Sequence, residues 1–319
     1  MDLVVTAKNP VPSGAVTAVI ETTDGVRLRT ARWEASAQPV RGTVCVIQGR
    51  TEFIEKYFEV IADLRRRGFA VAAFDWRGQG GSQRLLSNPI KGYVGSFRHF
   101  DRDLEAFMHQ VVEPHCPRPF YALGHSMGGH VLLRNATSAK PYFERMVLCA
   151  PMIDIAPETL TMSRGLARTL CEAIGLVGFS SGFTPKGASM PVDLGPFEDN
   201  PFTNDRTRFE RTNEILKEHP ELGLGAATFG WLRAALRSVS QITNPEYAGR
   251  VKVPILLFAA GQDTIASTRA IEDFAQRLKL GQVVLIPEAK HEILMETDAV
   301  RRRFWAGFDA YLGVTAQVA

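Results

Sequence analysis

The sequence lacks the long apolar runs of a membrane protein, because no apolar stretch reaches the roughly 18 residues that a helix needs to cross a bilayer. The N-terminus, from Met1 to Ala18, also lacks the basic stretch and apolar core of a secretion signal. There are only four cysteines and no Cys-x-x-Cys pair, which disfavours a disulfide framework. We therefore expect a cytoplasmic protein whose thiols are reduced.

The chain also lacks an excess of charge of one sign. Its 37 basic and 34 acidic residues give a net charge of +3 and are interspersed, so we expect no nucleic-acid partner. The clusters Arg65–Arg67 and Arg301–Arg303 fall within or beside helical patterns and are interpreted as solvated helix faces. No cluster has metal-ligand spacing, and Gly78–Gly81 lacks the Lys and Ser or Thr of a phosphate loop, so neither a metal nor a cofactor is expected.

What the chain does contain is a regular alternation of short apolar runs and amphipathic stretches. The first two runs, Ala15–Thr22 and Val26–Trp33, flank the turn dipeptide Asp24-Gly25 and predict an antiparallel hairpin. The later apolar runs predict buried strands at Thr43–Ile47, Phe69–Phe74, Phe120–Leu123, Met146–Ala150, Ile255–Ala259 and Val283–Ile286. Helical spacing between them predicts an α/β fold with a mostly parallel, doubly wound sheet.

The alternation fails between Pro151 and about Val239, where Gly and Pro clusters and weakly amphipathic segments replace the strands. We interpret residues 151–240 as a helical cap inserted into the sheet fold, and call them the cap segment. Residues 1–150 and 241–319 then form the two parts of the core. Because ligands of open α/β sheets lie beyond the carboxyl ends of the strands, such a cap would cover the site.

A Gly-x-Ser-x-Gly motif at Gly124–Gly128 follows the strand run ending at Leu123 and precedes a helical pattern. The motif needs this strand-turn-helix context, in which glycines allow a sharp turn that exposes the hydroxyl of Ser126. The first amides of the helix, including that of Met127, would point at a developing oxyanion. Ser126 is therefore the candidate nucleophile of a serine hydrolase with the α/β-hydrolase fold.

The order of such hydrolases is nucleophile, acid, histidine, and His291 is the one histidine that follows the last core strand. Asp263 follows the run ending at Ala259 and is the candidate acid that orients the His291 ring. Asp154, which follows the strand after the nucleophile, is kept as the alternative acid. His125 and His130 flank Ser126 too closely to act as its base and are expected to pack near the turn.

Glu288 and Glu292, which flank His291 in sequence, are interpreted as loop charges. Adjacent side chains rarely meet as the members of a triad do, so neither is a candidate for the acid.

Several segments resemble the lysophospholipase and monoacylglycerol lipase branch of α/β hydrolases, above all the bacterial lysophospholipase L2 type. The matching segments are Gln48–Tyr57, Asp75–Ser82, the Ser126 motif, Asn200–Thr203, Gly225–Leu232 and Gly261–Asp263 with His291. The resemblance spans roughly residues 20–312 and implies cleavage of the acyl ester of a lysophospholipid or monoacylglycerol.

The resemblance also implies two oxyanion donors, the backbone amides of Met127 and of Arg50. The family usually has His-Gly where this sequence has Gln48-Gly49, which leaves the backbone donor in place but changes the side-chain bonding of the loop. Glu52 and Asp75 are expected to brace loops rather than to take part in chemistry.

The substrate is less sharply defined. The cap segment has nine Lys and Arg against eleven Asp and Glu, which favours a neutral or zwitterionic lipid. A stripe in this segment is the candidate acyl-binding or membrane-contacting surface, with core packing as the alternative, and consists of Leu166, Leu170, Ile174, Val177 and Phe179. A short-chain carboxylesterase, an acyltransferase and a non-catalytic small-molecule receptor stay open, and so does the oligomeric state. Contact with the inner membrane surface is an extension of the lipid hypothesis.

Overall fold

One open sheet of eight strands organises the molecule in the computed structural model, which describes residues 2–160, 162–185 and 190–314. The strands are β1 (Val16–Glu21), β2 (Arg27–Trp33), β3 (Thr43–Ile47), β4 (Ala70–Phe74), β5 (Phe120–His125), β6 (Arg145–Cys149), β7 (Ile255–Ala260) and β8 (Gly281–Ile286). Their spatial order is β1-β2-β4-β3-β5-β6-β7-β8, with β1 antiparallel to β2, β2 antiparallel to β4, and all other pairs parallel. The predicted hairpin and mostly parallel sheet are confirmed.

Helices cover both faces of this sheet. They are α1 (Phe58–Arg66), α2 (Arg98–Phe107), α3 (Glu113–His115), α4 (Ser126–Asn135), α5 (Pro157–Leu160), α6 (Arg164–Leu176), α7 (Arg206–Glu218), α8 (Phe229–Ile242), α9 (Thr268–Ala275) and α10 (Asp298–Leu312). A π-helical turn, Met108–Val112, continues α2, and short 3-10 helices span Ile54–Tyr57, Phe197–Asp199, Pro220–Leu222, Ala248–Arg250 and Ile293–Met295. Apolar side chains of α2, α4, α8 and α9 fill one core, while those of α1 and α10 fill the core on the opposite face.

The strands at the centre of the sheet are buried on both faces, as their continuous apolar sequences predicted. All residues of β3, β4 and β7 are buried. The prediction of a buried strand is wrong for β8, in which Val283 and Leu285 are 39% and 41% exposed. β8 forms an edge of the described sheet, and its face that carries Val283 and Leu285 is open to solvent.

Between β6 and β7 the described residues form helices and loops and no strand of the sheet. Helix α6 packs against α8, and α8 in turn contributes Ala235 and Leu236 to the core beside α4. This segment leaves the sheet at the carboxyl end of β6, where the Met152 amide donates to the carbonyl of Ser126, and the chain re-enters the sheet at the amino end of β7. It therefore begins beside the turn that carries Ser126.

One basic cluster differs from the interpretation made from sequence. Arg301 is only 5% exposed rather than solvated, and it donates hydrogen bonds to the carbonyl of Leu294 and the carboxylate of Asp63. A helical pattern shows spacing but not which face a neighbouring helix covers. Among the residues that the structure describes, no helix has both the length and the apolar character that a membrane span requires.

Candidate active site

The turn between β5 and α4 holds Ser126 in a left-handed conformation, with φ of 48°. Such a conformation is costly for a residue with a side chain, and it is typical of strained turns at functional sites. Close packing maintains the turn: a Cβ atom at Gly128 would lie 2.2 Å from the carbonyl oxygen of Ile47, and one at Gly124 would lie 2.5 Å from Leu132. These contact distances require glycine at both positions of the motif. The turn leaves Ser126 half-buried at the end of the strand.

Three side chains from different parts of the chain form a hydrogen-bonded series at this turn. The Ser126 hydroxyl lies 3.0 Å from His291 Nε2, and His291 Nδ1 lies 2.7 Å from Asp263 Oδ2. Asp263 also accepts hydrogen bonds at its other oxygen from the amides of Ile265 and Ala266, at 2.8 and 2.9 Å. Burial alone would raise the pKa of Asp263, but the His291 ring and the two amides outweigh it and hold the pKa below its usual range.

The alternative acid, Asp154, does not join this series. Its carboxylate forms an ion pair with Arg164, at 2.7 Å, and accepts a hydrogen bond from the amide of Ile155. His130 points into the core, where it lies 2.6 Å from the carbonyl of Met152 and 2.7 Å from the Ser238 hydroxyl. Burial lowers the pKa of His130 to about 3, so its ring is neutral at physiological pH.

The loop after β3 lies directly against the nucleophile. A Cβ atom at Gly49 would come within 3.2 Å of the Ser126 Cβ, so the backbone that leads to Arg50 passes beside the hydroxyl. Met127 lies in the first turn of α4, directly after Ser126, where the positive end of the helix dipole favours negative charge. Arg50, Met127, Ser126 and His291 all line one cavity.

Side chains brace this loop at Gln48-Gly49. The Gln48 amide donates to the carbonyl of Phe74 and to Asp75, and Trp76 donates to the carbonyl of Gln48, at 2.8 Å. Asp75 also accepts from the amide of Ile54, at 3.0 Å. The hydrogen bonds of Gln48 therefore connect the ends of β3 and β4, and none of them involves Ser126, His291 or Asp263.

A second brace is built on Glu52, whose carboxylate accepts the amide of Gly49 and the hydroxyl of Tyr57 and lies 3.0 Å from His125 Nδ1. The other ring nitrogen of His125 lies 3.2 Å from the carbonyl oxygen of His291. Burial opposes ionisation of both groups, but their mutual attraction holds the pKa of Glu52 low and raises that of His125. His125 thus connects the loop after β3 to the backbone of His291.

The cavity at these side chains has a volume of about 510 Å³, within the usual range of small-molecule sites. Its wall is mainly apolar and is formed by the core and the cap segment together. The apolar lining includes Met127, Met152, Ile155, Leu160, Met162, Ala167, Leu170, Cys171, Val192, Phe202, Phe229, Trp231, Leu232 and Ile265.

The predicted acyl-binding stripe divides between this wall and the surface. Leu170 lines the cavity, where Ala167 and Cys171 of the same helix join it. Leu166, Ile174 and Phe179 do not line it, and Leu166 and Phe179 are 59% and 69% exposed. Leu170 is thus the residue of the stripe that lines the cavity, and it does so beside Ala167 and Cys171, which carry little apolar signal in the sequence.

A buried cluster of charges beside His291 was missed from the sequence. Lys56 Nζ lies 2.6 Å from Glu292, 3.4 Å from Glu52 and 4.0 Å from Asp193, and all four side chains are at most 8% exposed. Burial lowers the pKa of Lys56, but the three carboxylates outweigh it and raise the pKa above its usual value. The interpretation of Glu292 as a loop charge is wrong, because its carboxylate is buried and paired with Lys56, which lies 236 residues away in the chain.

The geometry agrees with the comparison to known families. Residues 38–298 match the model of the family described as serine aminopeptidase, S33. The chain belongs to this family. The resemblance to lysophospholipases and monoacylglycerol lipases is also confirmed, since lysophospholipase L2 of Escherichia coli is 31% identical over 289 residues, 87% of this chain and 82% of that protein.

Monoglyceride lipase of Rattus norvegicus is 31% identical to this S33 family member over 153 residues, which cover 47% of this chain and 48% of that one. Among solved structures, a soluble variant of monoglyceride lipase from Saccharomyces cerevisiae, in complex with a substrate analog, superimposes with a TM-score of 0.72. That superposition covers 93% of this chain and 96% of the other at 21% identity, and it confirms the α/β-hydrolase fold.

Proposed function

We propose that the chain is a serine hydrolase that cleaves the single acyl ester of a lysophospholipid or a monoacylglycerol through an acyl-enzyme. The observation that carries the proposal is the hydrogen-bonded series from Ser126 through His291 to Asp263, which opens into an apolar cavity. The names of the relatives, lysophospholipase and monoglyceride lipase, support the same class of substrate.

In the first half of the reaction, Ser126 Oγ attacks the ester carbonyl carbon while His291 Nε2 takes the hydroxyl proton. The carbonyl oxygen becomes an oxyanion, for which the amides of Met127 and Arg50 are the proposed donors. By comparison with other oxyanion holes, each donor lowers the barrier by about 3 kcal/mol. Asp263 keeps the proton of the ring on Nδ1 and stabilises the imidazolium that forms.

The tetrahedral intermediate then collapses, and the bond to the glycerol oxygen breaks as His291 donates its proton to that oxygen. A water molecule enters, and His291 removes its proton as the water attacks the acyl carbon. The second tetrahedral intermediate collapses with cleavage of its bond to Ser126 Oγ, the fatty acid is released, and His291 returns the proton to Ser126 Oγ. The enzyme is regenerated with no net change in charge.

The apolar cavity supports a long acyl chain rather than a short one, because burial of apolar surface stabilises the complex in proportion to chain length. Four other apolar side chains of the cap segment lie on the protein surface. Leu166, Leu176, Val177 and Phe179 are between 59% and 89% exposed on and just after α6. We propose that they contact the lipid surface from which the substrate comes, because exposed apolar side chains beside a cavity are typical of such contacts.

The proposal is tested by measuring fatty-acid release from three esters, namely a long-chain monoacylglycerol, a lysophospholipid with the same acyl chain and a short-chain ester. The Ser126→Ala variant is the blank. We expect release from a long-chain lipid that the variant abolishes. Ser126-dependent turnover of the short ester alone would instead indicate a carboxylesterase, and transfer of the acyl group to an added alcohol in preference to water would indicate an acyltransferase.

Absence of Ser126-dependent release from all three esters would favour a non-catalytic receptor. For the proposed lipid contact, wild type and the Val177→Ser/Phe179→Ser double variant are floated with vesicles. Equal flotation of the two proteins would contradict the contact.

A further inference from the structure

Arg50 is the one Lys or Arg side chain among the described residues that line the cavity. Its guanidinium donates to the carbonyl of Gly225 in the cap segment, at 2.6 Å, and lies 5.1 Å from the ring centre of Trp231. Its Nε atom is buried and has no hydrogen-bond acceptor. The guanidinium is thus only partly satisfied by the protein.

No carboxylate of the described residues forms an ion pair with Arg50. The acid that acts on it electrostatically, Asp193, belongs to the cluster around Lys56. Burial lowers the pKa of Arg50 to about 10, so the side chain still carries its charge at neutral pH. A buried cation without an anionic partner is unfavourable, and an anion that enters the cavity would remove that penalty.

Two other guanidinium groups, one buried and one half-buried, are more completely bonded. Arg29 is paired with Glu55 and Asp75. Arg84 has no carboxylate partner either, but it donates to four backbone carbonyls. Arg50 has neither arrangement, and it faces a cavity rather than the protein interior.

The two carboxylates that line the same cavity do not oppose an anion as free charges. Glu292 is paired with Lys56 at 2.6 Å, and Glu52 is paired with the His125 ring at 3.0 Å and accepts from the Gly49 amide and the Tyr57 hydroxyl. Arg50 is therefore the charge that a ligand in the cavity meets without a partner of opposite sign.

We propose that the Arg50 guanidinium binds the phosphodiester of a lysophospholipid headgroup and so determines which lipid the enzyme prefers. The inference rests on the proposed function and names its substrate class. In a lysophospholipid the carbonyl carbon and the phosphorus are separated by the glycerol chain. In Arg50 a comparable number of covalent bonds separates the backbone amide, the proposed oxyanion donor, from the guanidinium carbon. One residue can thus hold the ester oxygen with its amide and the phosphate with its side chain.

The charge count of the cap segment favoured a neutral or zwitterionic lipid, and this inference narrows the expectation to lipids that carry a phosphodiester. The count considered only the cap segment, and the cation comes instead from the loop after β3. A single unpaired guanidinium inside the cavity weighs more than the balance of solvated charges outside it, because the low dielectric of a cavity strengthens the attraction.

The test compares kcat/KM for 1-oleoyl lysophosphatidylglycerol and for 1-oleoylglycerol in wild type, Arg50→Gln and Arg50→Lys. The backbone amide is unchanged in both variants. We expect Arg50→Gln to lower kcat/KM for the lysophospholipid about 10- to 100-fold, the size of a lost charge-assisted hydrogen bond. The preference, taken as the ratio of the two kcat/KM values, should fall by at least about tenfold, and Arg50→Lys should retain part of it. Arg84→Gln serves as the matched control, since it removes a half-buried guanidinium that does not line the cavity.

Equal loss for both substrates in Arg50→Gln would overturn the inference and leave Arg50 as a brace on Gly225. The inference would also be overturned if Arg50→Gln were no longer inhibited by added oleate but kept the substrate preference of wild type. In that case the guanidinium would bind the carboxylate of the product. If wild type released no fatty acid from either lipid, the proposed function itself would fail. That outcome is distinct from an altered preference.

Discussion

Lys56 Nζ lies 2.6 Å from the carboxylate of Glu292, the residue that follows His291. Lys56 sits in the short helix after the loop that carries Arg50, and Asp193 of the cap segment lies 4.0 Å from the same ammonium. One buried cation thus joins three segments that surround the candidate nucleophile. Its position gives it a role in holding His291, although it touches no reacting atom.

We expect Lys56→Met to lower the free energy of unfolding by about 3–5 kcal/mol, because the substitution leaves Glu292, Glu52 and Asp193 buried without a cation. Thermal or urea unfolding measures this change. Lys140→Met, which replaces an exposed lysine, is the control and should have little effect. Equal stability of the two variants would show that the cluster does not hold these segments together.

The two candidate acids are separated by a pair of matched substitutions. Asp263→Asn should lower kcat about ten-thousand-fold, because an amide fixes the wrong tautomer of the His291 ring. Asp154→Asn breaks an ion pair with a 43% exposed Arg164 side chain, and we expect kcat to change less than about threefold. Steady-state ester hydrolysis measures both, and a larger loss for Asp154→Asn would reverse the assignment.

A pH-dependent contribution to stability comes from Glu59 on α1, which pairs with Arg208 and Arg211 of α7. Burial raises the pKa of Glu59, but Arg208, Arg301 and Arg211 outweigh it and lower the pKa from 4.5 to about 2. The folded state therefore favours the ionised carboxylate, and the stabilisation is present above pH 4.5 and lost as the pH falls towards 2.

Glu59→Gln should accordingly lower the free energy of unfolding at neutral pH by about 2 kcal/mol, a value reduced for partial exposure. The difference between wild type and variant should shrink as the pH falls below about 4.5. Urea unfolding at a series of pH values measures it. Glu198→Gln, at an exposed ion pair with Arg206, is the control, and a gap between wild type and Glu59→Gln that is independent of pH would refute the linkage.

The glycines of the chain offer a further matched pair. Gly128→Ala would place a Cβ atom 2.2 Å from the backbone oxygen of Ile47, so we expect the turn at Ser126 to shift and kcat to fall by at least about tenfold. Gly165→Ala on α6 meets no atom within 4 Å and should stabilise the protein by about 0.5–1 kcal/mol. Circular dichroism and ester hydrolysis measure the two effects, and full activity of Gly128→Ala would contradict the packing argument.

The sheet and the candidate triad could be predicted from sequence because both depend on local signals in a fixed order. Apolar runs mark the strands, and Ser126, Asp263 and His291 each follow such a run at the same edge of a parallel sheet. The prediction needed no knowledge of which side chains touch.

The surroundings of the triad could not be predicted in the same way. Glu292 and Arg301 look like solvated charges in sequence, and only the distant partners Lys56 and Asp63 make them buried. Likewise, Leu166 and Leu170 share one amphipathic pattern, but the packing of α6 on α8 decides which of them faces the cavity. Such long-range pairing leaves no periodic trace along the chain.

Among the residues that the structure describes, the left-handed backbone of Ser126 has two non-glycine counterparts, Thr51 with φ of 71° and Ala150 with φ of 43°. All three non-glycine residues follow the ends of neighbouring parallel strands, so the strain of the fold is concentrated around the proposed chemistry. Glycine would relieve that strain, since it adopts such angles without penalty. Selection for heat resistance alone would therefore drive these positions towards glycine, and at Ser126 the most durable protein would be an inactive one.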